Sequence, residues 1–183
     1  MKFRYLIFSL FLFAISAKAQ DNKTTQNIYQ FKIQSLDGET IDFSKFKGKK
    51  IIVVNTASMC GYTPQYKELE ALYEKYHDKL VIVGFPSDNF GGQEYGTDRE
   101  VKDFCQKNYG VTFPLTTRVD VTGEKMTPVY QYLTSKSQNG VLDATVKWNF
   151  NKFLIDENGN VVAYYPSKVK PDDALIINWV EKK

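Results

Sequence analysis

Cys60 is the residue whose type and setting point most directly to covalent chemistry. It lies in NTASMCGYTP (55–64), after an apolar run and before the first turn of an expected helix. The first N–H groups of a helix have no partner within the helix, so they favour an anion, here a nucleophilic thiolate. Gly61 adds no side-chain bulk over the sulfur. The pattern predicts a reactive thiol; a packing or disulfide-bonded cysteine is the alternative at this point.

The sequence has few other groups for covalent or metal chemistry. It contains one more cysteine, Cys105, and a single histidine, His77, at the polar end of an expected helix. Cys105 shares an apolar helix face with Val101 and Phe104, so a small buried thiol without a redox role is the alternative to a second reactive one. One histidine and two cysteines supply a zinc site poorly. We therefore predict no metal site and no histidine-based triad.

The first residues predict export. Basic residues precede an apolar core from Tyr5 to Ser16, which is shorter than the roughly 20 residues that span a bilayer. The small residues of AKA (17–19) then form a cleavage site that ends at Ala19. We expect a signal peptide over residues 1–19, a flexible leader over 20–27, and a periplasmic or secreted protein without a stable membrane anchor. An uncleaved anchor is the alternative.

The charge balance excludes one broad class of partner. The full sequence has 24 basic and 21 acidic residues. Lys2, Arg4 and Lys18 belong to the predicted signal peptide, which has no acidic residue, so the rest of the chain is balanced. A balanced charge gives no electrostatic case for binding nucleic acid or an anionic lipid surface.

The elements that would position Cys60 follow from the pattern of apolar residues. Alternation on either side of Asp37-Gly38 predicts an N-terminal β-hairpin. The continuous apolar runs IIVVNTAS (51–58) and LVIVGFP (80–86) predict two buried strands. A helix is expected between them, with Thr63 as its cap and Pro64 in its first position.

The second half of the chain continues the alternation. Thr97 and Glu100 form the T-x-x-E pattern of a capping box before a second helix. Further patterns predict a helix in TPVYQYLTSKS (127–137), a hairpin in NKFLIDENGNVVAYY (151–165) and a last helix from Pro171 to about Val180. Strands that alternate with helices, without repeat or linker, predict one α/β domain over residues 28–183, with a mixed central sheet flanked by helices.

Three longer blocks of sequence resemble those of a known family. They are NTASMCGYTPQYKELEALYEKY (55–76), GFPSDNFGGQEYGTDREVKDFCQKNYGVTFPL (84–115) and KWNFNKFLIDENGNVV (147–162). In order and separation they resemble the signature blocks of the glutathione peroxidase family, and the resemblance runs from about Tyr29 to the C-terminus. It implies a thioredoxin-like fold and reduction of hydrogen peroxide and organic hydroperoxides, with no metal, flavin or haem cofactor.

The resemblance also implies roles for particular residues. Cys60 falls on the peroxidatic cysteine, which is selenocysteine in some members, and Cys105 falls on the resolving cysteine of the thioredoxin-dependent branch. Trp148 and Asn149 fall on polar partners of the sulfur, and their N–H groups can donate hydrogen bonds to a departing oxygen. Asn89 falls on the glutamine of the family's NQFG segment and is one methylene shorter. A Cys60 sulfenic acid resolved by Cys105 is the mechanism implied.

The resemblance bears on the partners of the protein as well. Many members that use glutathione carry an arginine at the position of Tyr164, so a thioredoxin-like protein is the expected reductant. The segment from Lys125 to Val146 lacks the extra loop of tetrameric members, and a monomer is expected. Two other functions stay open. One is a thiol–disulfide oxidoreductase or redox relay, against which the lack of C-x-x-C argues. The other is a non-catalytic, disulfide-stapled binding protein.

A conformational change is expected if Cys105 faces the core of the protein. A disulfide requires the two Cα atoms to lie within about 7 Å of each other. A core-facing cysteine in a helix would therefore have to leave that helix to reach Cys60. We expect residues near 98–108 to unravel on oxidation and the loop at 87–96 to move with them.

Overall fold

The computed structural model describes residues 26–182 of the 183-residue chain. The predicted signal peptide and most of the predicted leader lie outside the described residues. Within the described part, no helix combines the length and the apolar composition that crossing a bilayer requires.

Strands and helices alternate through most of the described chain. They are β1 (Lys32–Gln34), β2 (Thr40–Asp42), β3 (Lys50–Thr56), α1 (Gln65–Tyr76), β4 (Leu80–Pro86), α2 (Asp98–Tyr109), α3 (Pro128–Thr134), α4 (Lys136–Asn139), β5 (Lys152–Ile155), β6 (Val161–Tyr165) and α5 (Ala174–Glu181). The predicted strands, the N-terminal hairpin and the hairpin at 151–165 are confirmed.

A four-stranded mixed sheet forms the centre of the molecule, in the order β4-β3-β5-β6. β3 runs parallel to β4 and antiparallel to β5, so Val53 pairs with Val83 on one side and with Phe153 on the other. β5 and β6 form an antiparallel hairpin. Every residue of β3 is buried. The segment that carries Cys60 therefore leaves the sheet from a central strand with a neighbour on each side.

Alternate side chains of β3 enter two apolar clusters, one on each face of the sheet. Ile52 and Val54 pack with residues of α1, α2 and α5 in the cluster that also contains both cysteines. Ile51 and Val53 pack with α3 and with the N-terminal hairpin. The predicted mixed sheet with helices on both faces is confirmed.

Two predicted helix starts are wrong. α1 begins at Gln65 and receives no side-chain cap, because the Thr63 hydroxyl is used by the turn around Cys60. The last helix begins at Ala174, where the Asp173 side chain caps it by accepting the N–H of Leu175. Both prolines that were placed at the helix starts therefore precede the helices.

The capping box of α2 forms as predicted. The Glu100 N–H donates to Thr97 Oγ1 over 3.2 Å, and the Thr97 N–H donates to Glu100 Oε2 over 3.0 Å. At the other end, Gly110 adopts a left-handed conformation with φ of 64° and closes the helix. Both ends of the helix that carries Cys105 are thus capped.

Candidate active site

The turn that carries Cys60 is closed by the side chain of Thr63. The Thr63 hydroxyl donates to the Ala57 carbonyl over 2.8 Å and accepts the Cys60 N–H over 2.9 Å. The Thr63 N–H donates to the Cys60 carbonyl over 2.9 Å. These three bonds fix the cysteine backbone directly beyond the end of β3, so the position of the thiol follows from the position of the strand.

One backbone donor contacts the thiol sulfur. The Tyr62 N–H donates to Cys60 Sγ over 3.4 Å, and the Cys60 residue is 7% exposed. The N–H groups of residues 65–67, at the start of α1, instead donate to carbonyls of the preceding turn. The expectation that the leading N–H groups of the helix serve the sulfur is therefore corrected, because the donor belongs to the turn before the helix.

The side chain of Asn55, near the end of β3, positions the loop of Trp148 and Asn149. Asn55 Nδ2 donates to the Trp148 carbonyl over 2.9 Å, and Asn55 Oδ1 accepts the Asn151 N–H over 2.9 Å. Phe150 between them has φ of 64°, a left-handed conformation that non-glycine residues rarely adopt. The strand that leads to Cys60 therefore also holds the predicted partner loop, through a residue whose positioning role the sequence did not reveal.

The amide of Asn149 meets the amide of Gln93. Asn149 is fully buried, and its Nδ2 group donates to Gln93 Oε1 over 3.2 Å. The backbone carbonyl of Gln93 accepts the Met59 N–H over 2.9 Å, next to Cys60 in sequence. Gln93 thus connects the loop of Asn149 to the turn of Cys60, a role that sequence reasoning had not given it.

The side chain of Asn89, a predicted site residue, bonds to residues 120–122 and not to the Cys60 turn. Its Oδ1 atom accepts the Ser87 hydroxyl over 3.1 Å and the backbone N–H groups of residues 121 and 122 over 2.7 and 3.2 Å. Its Nδ2 group donates to Asp120. The Ser87 bond lies within the loop, the other bonds tie the loop to residues 120–122, and none joins Asn89 to the Cys60 turn. The Asn89 amide, predicted to lie at the sulfur, is thus bonded to residues 120–122 in this structure, whereas Gln93, four residues further along the chain, contacts the Cys60 turn through its backbone carbonyl.

Trp148 lies at the surface of the site. Its side chain is one of the exposed large apolar groups, and its ring packs against Phe90 with 5.9 Å between the ring centroids. With Tyr62, Lys147 and Tyr164 it lines an open groove of about 350 Å³. A substrate or a partner protein can therefore reach the side of the Cys60 turn that carries Tyr62.

Lys152 connects α1 with the loop of Trp148 and Asn149 through its buried side chain. Its fully buried ammonium group donates to Gln65 Oε1 over 2.6 Å and to the carbonyls of Phe150 and Val169 over 2.8 Å each. Burial lowers the pKa of Lys152 to about 7, and the negative charge of Glu68 partly opposes this. The left-handed turn at Phe150 is thus held by a side chain that titrates near neutral pH.

Cys105 faces the core from α2. It is fully buried and, like Cys60, carries a free thiol. Burial raises the pKa of Cys105 to about 12; the Tyr66 hydroxyl opposes this rise, and the charge of Glu94 adds to it. The thiol that was predicted to resolve Cys60 is therefore protonated at neutral pH and closed off from solvent.

His77 lies outside the site. It is exposed beyond the last residue of α1, and its Nδ1 atom lies 2.9 Å from the Glu74 carbonyl. Among residues 26–182, no group of three or more histidine, cysteine or acidic side chains is arranged to hold a metal ion.

Comparison with known sequences establishes the family. The sequence pattern that defines Glutathione peroxidase matches residues 28–134. Over 147 residues the chain is 50% identical to the "Glutathione peroxidase-like peroxiredoxin gpx1" of Schizosaccharomyces pombe, and the match covers 80% of this chain and 92% of that protein. The chain belongs to the glutathione peroxidase family. As a member of it, the protein is a thiol peroxidase.

Solved structures agree with this membership. The crystal structure of Trgpx in apo form matches with a TM-score of 0.66 and 33% sequence identity, covering 87% of this chain and 98% of that one. A thiol:disulfide interchange protein of the thioredoxin family from Chlorobium tepidum matches with a TM-score of 0.58 and 20% identity, covering 82% and 89% of the two chains. That second likeness shows the fold alone. The glutathione peroxidase domain described here thus has a thioredoxin-like fold, as the resemblance implied.

Proposed function

We propose that this family member reduces hydrogen peroxide and organic hydroperoxides through Cys60. The Cys60 thiolate attacks the distal peroxide oxygen, the O–O bond breaks, and the sulfur becomes a sulfenic acid as an alkoxide or hydroxide leaves. The hydrogen bond of 3.4 Å from the Tyr62 N–H to Cys60 Sγ carries the proposal. A backbone donor at that distance stabilises a thiolate, and it serves the cysteine that the Thr63 turn fixes.

Three N–H donors serve the departing oxygen in this proposal. Trp148 supplies an indole N–H at the open groove, and Asn149 and Gln93 supply side-chain amides at the Cys60 turn. Asn149 Nδ2 uses one of its two N–H groups on Gln93 Oε1, so its other N–H and those of Gln93 Nε2 are the amide donors left for a substrate. Preorganised donors of this kind stabilise charge that develops in the transition state without reorganising during the reaction.

Cys105 completes the catalytic cycle in the proposal. Its sulfur attacks the sulfenic sulfur of Cys60, an S–S bond forms, the S–O bond breaks, and water leaves. A thioredoxin-like dithiol protein then reduces the disulfide and restores both thiols. The family position of Cys105 supports this branch, as does the name "peroxiredoxin" of the Schizosaccharomyces pombe relative.

Single-turnover oxidation tests the proposal. Reduced wild type, Cys60→Ser and Cys105→Ser are mixed with hydrogen peroxide or a lipid hydroperoxide, and the products are identified by mass spectrometry. We expect no peroxide consumption by Cys60→Ser, and one turnover by Cys105→Ser that stops at the sulfenic acid. Equal consumption by Cys60→Ser and wild type would overturn the proposal. Faster disulfide transfer to client proteins than peroxide consumption would favour a redox relay instead.

We also propose that the protein is exported and monomeric. The basic, apolar and small-residue pattern of residues 1–19 supports export, and the short segment from Lys125 to Val146 supports a monomer. N-terminal sequencing of protein from the native host should begin at Gln20, and light scattering should give the mass of one chain. An intact Met1 in the purified protein would contradict export by cleavage.

A further inference from the structure

Four buried polar atoms near the Cys60 turn complete no hydrogen bond of good geometry within residues 26–182, although Ser58 lies beside Glu94 and Thr56 beside Tyr66. They are Thr56 Oγ1, Ser58 Oγ, Tyr66 Oη and Glu94 Oε2. Thr56 ends β3, Ser58 belongs to the Cys60 turn, and Tyr66 belongs to α1. Buried polar atoms are nearly always paired, so a group of unpaired ones calls for a functional explanation.

Glu94 is the ionisable member of this group that the mechanism so far leaves unused. Its Oε1 atom accepts the Ser58 N–H over 3.1 Å and the Tyr95 N–H over 2.9 Å, and the residue is 6% exposed. These bonds place the carboxyl group beside the Cys60 turn, on the loop that leads into α2. Burial raises the pKa of Glu94, while the hydrogen bonds from Ser58 and Tyr95 and the charge of Arg118 oppose the rise. It is therefore a stronger base than an ordinary carboxylate.

The groups that face Glu94 come from several elements. The negative charge of Glu94 raises the pKa of Tyr66 in α1 and of Cys105 in α2, and Arg118, in the segment between α2 and α3, acts on Glu94 with its positive charge. The Tyr66 hydroxyl also lies close enough to lower the pKa of the Cys105 thiol, although it completes no hydrogen bond in this conformation. The packing agrees with this, because the ring of Tyr95, next to Glu94, contacts the ring of Phe104, next to Cys105, with 5.4 Å between the centroids. The Glu94 carboxyl and the Cys105 thiol therefore lie in one region of the molecule, with the Tyr66 hydroxyl beside the thiol.

We propose that Glu94 accepts the proton of the Cys105 thiol in the resolving step. This inference rests on the proposed function of Cys60 and Cys105. The S–H bond of Cys105 breaks, and its proton moves to the Glu94 carboxylate. The Cys105 thiolate attacks the Cys60 sulfur; the S–S bond forms and the S–O bond breaks. The departing hydroxide takes the proton back from Glu94 and leaves as water. Cys105 is oxidised, the sulfenic sulfur is reduced, and Glu94 is regenerated.

Two features favour an internal acceptor while α2 is intact. The Cys105 side chain is fully buried, so hydroxide and buffer bases do not reach it while α2 is intact. A thiolate formed in place is a buried charge next to apolar side chains, and such a charge favours release of the residue from the core. Proton transfer to Glu94 therefore both activates Cys105 and promotes the opening of α2 that it needs.

The test measures the two steps of one turnover separately in wild type and Glu94→Gln. Loss of the Cys60 thiol and formation of the Cys60–Cys105 disulfide are followed by quenched-flow mass spectrometry between pH 5.5 and 8.5. Glu94→Gln should keep the first step and slow the second about 100-fold or more at neutral pH, with a rate that then rises in proportion to hydroxide. An unchanged disulfide rate and pH profile in folded Glu94→Gln would overturn the inference.

A matched control shows whether an effect of Glu94→Gln comes from the loss of a proton acceptor or from the loss of any buried carboxylate. Glu70 is also buried and accepts the Thr112 N–H over 2.8 Å, and it is not among the groups that shift the pKa of Cys105. Glu70→Gln should leave the pH profile of disulfide formation unchanged, and Glu94→Asp, which keeps a carboxylate, should retain the wild-type form of the profile. A Glu70→Gln profile that changes like that of Glu94→Gln would contradict the assignment.

If Glu94→Gln does not fold, the pH dependence of disulfide formation in the wild-type protein still tests the inference. Its disulfide rate should follow the titration of one acid whose pKa lies above that of an ordinary carboxyl group. A wild-type rate proportional to hydroxide across the whole range would overturn the role of Glu94. Absence of any Cys60–Cys105 disulfide in wild type would instead refute the proposed resolving step, and the inference with it.

Discussion

The turn that carries Cys60 and the segments next to it are held mainly through hydrogen bonds to backbone groups. Thr63 closes its turn, Asn55 holds the loop of Trp148, and Gln93 connects that loop back to Met59. The side chains of Thr63 and Asn55 bond to backbone groups, whereas Gln93 accepts the Met59 N–H with its backbone carbonyl and the Asn149 amide with its side chain. The site is therefore preorganised, as electrostatic stabilisation of a leaving oxygen requires.

Gln93 and Asn89 offer a matched pair of amides for testing which one serves the reaction. Gln93→Ala should slow oxidation of Cys60 by about 10²- to 10³-fold, the usual cost of a lost oxyanion donor. Asn89→Ala should leave that rate close to wild type and lower the midpoint of urea unfolding, because Asn89 holds residues 120–122. Stopped-flow oxidation and urea titration distinguish the two. The opposite assignment of effects would restore Asn89 to the site.

Lys152 should make the stability of the fold depend on pH near neutrality. Its folded-state pKa of about 7 lies below the ordinary value of 10.5, so above pH 7 the unfolded chain binds a proton that the folded chain has released. The free energy of unfolding should therefore rise with pH from about 7 towards 10.5 through this group. Urea unfolding of wild type and Lys152→Met at pH 6.5 and 8.0 measures it, and both values lie below the ordinary cysteine pKa of about 8.5.

The Lys152 prediction has a direct control in the substituted protein. Lys152→Met removes the titrating amine and keeps a side chain of similar length, so its unfolding free energy should change less between the two pH values. A rise of equal size in both proteins would assign the effect to other groups. Glu68, whose charge opposes the shift, provides a second check, because Glu68→Gln should lower the Lys152 pKa further.

Residue types and spacing located the two cysteines, Trp148 and Asn149, but not every partner. The Cys60 prediction depended on a strand followed by a helix, a local pattern that the sequence shows directly. Gln93 was missed because its role depends on a contact with Asn149, which is distant in sequence. Asn89 was misplaced because its shorter amide was assigned from a motif position, whereas its bonds to residues 120–122 arise only in the folded chain.

Among the elements, α2 is capped at both ends, yet the proposed disulfide requires part of it to unwind. The Thr97 capping box and the left-handed Gly110 close the helix, yet its buried Cys105 would have to reach the Cys60 turn to form a disulfide. A helix with two good caps does not fray readily, so release of Cys105 has to be driven by the new S–S bond or by a buried charge.

Hydrogen exchange in the two redox forms tests the opening of α2. The amides of residues 98–109 should be protected in the reduced protein and exchange faster in the disulfide form, together with the loop at 87–96. The amides of β3 should keep their protection in both forms, since every β3 residue is buried between two strands. Equal protection of α2 in both forms would show that the cysteines meet without unwinding it.

The extent to which elements could be predicted varied with the kind of signal. The continuous apolar runs of β3 and β4 and the T-x-x-E box of α2 are local patterns, and the structure confirms them. The starts of α1 and α5 were wrong because a Thr or Pro near a helix start does not say which competing bond the chain makes. At α1 the Thr63 hydroxyl serves the Cys60 turn, and at α5 the side chain of Asp173 forms the cap.

For the whole molecule, the two apolar clusters on either side of the sheet make a complete core without a disulfide. Both cysteines are free thiols within one cluster, and the fold packs around them in that state. A structural disulfide would be expected to stabilise such a domain by about 2 to 4 kcal/mol. A disulfide that pulls Cys105 out of the core removes apolar burial instead.

Thermal unfolding of the two redox forms should therefore favour the reduced protein. We expect the reduced form to melt at the same temperature as the disulfide form or at a higher one, and scanning calorimetry of both forms in the absence of free thiol measures the difference. Cys105→Ser, which cannot form the disulfide, should melt alike before and after peroxide treatment. An oxidised form that melts several degrees higher would support a stapled binding protein.

The fold places its two sulfurs on supports of unequal rigidity. One stands on a turn anchored to the innermost strand, and the other lies in a peripheral helix. In the proposed cycle the helix moves together with the loop at 87–96, whereas the Cys60 turn stays anchored to β3. A dithiol protein that docks beside α2 would meet one surface shape in the reduced protein and a different one in the disulfide form. Such a partner could bind the disulfide form in preference to the reduced form through this difference in surface shape.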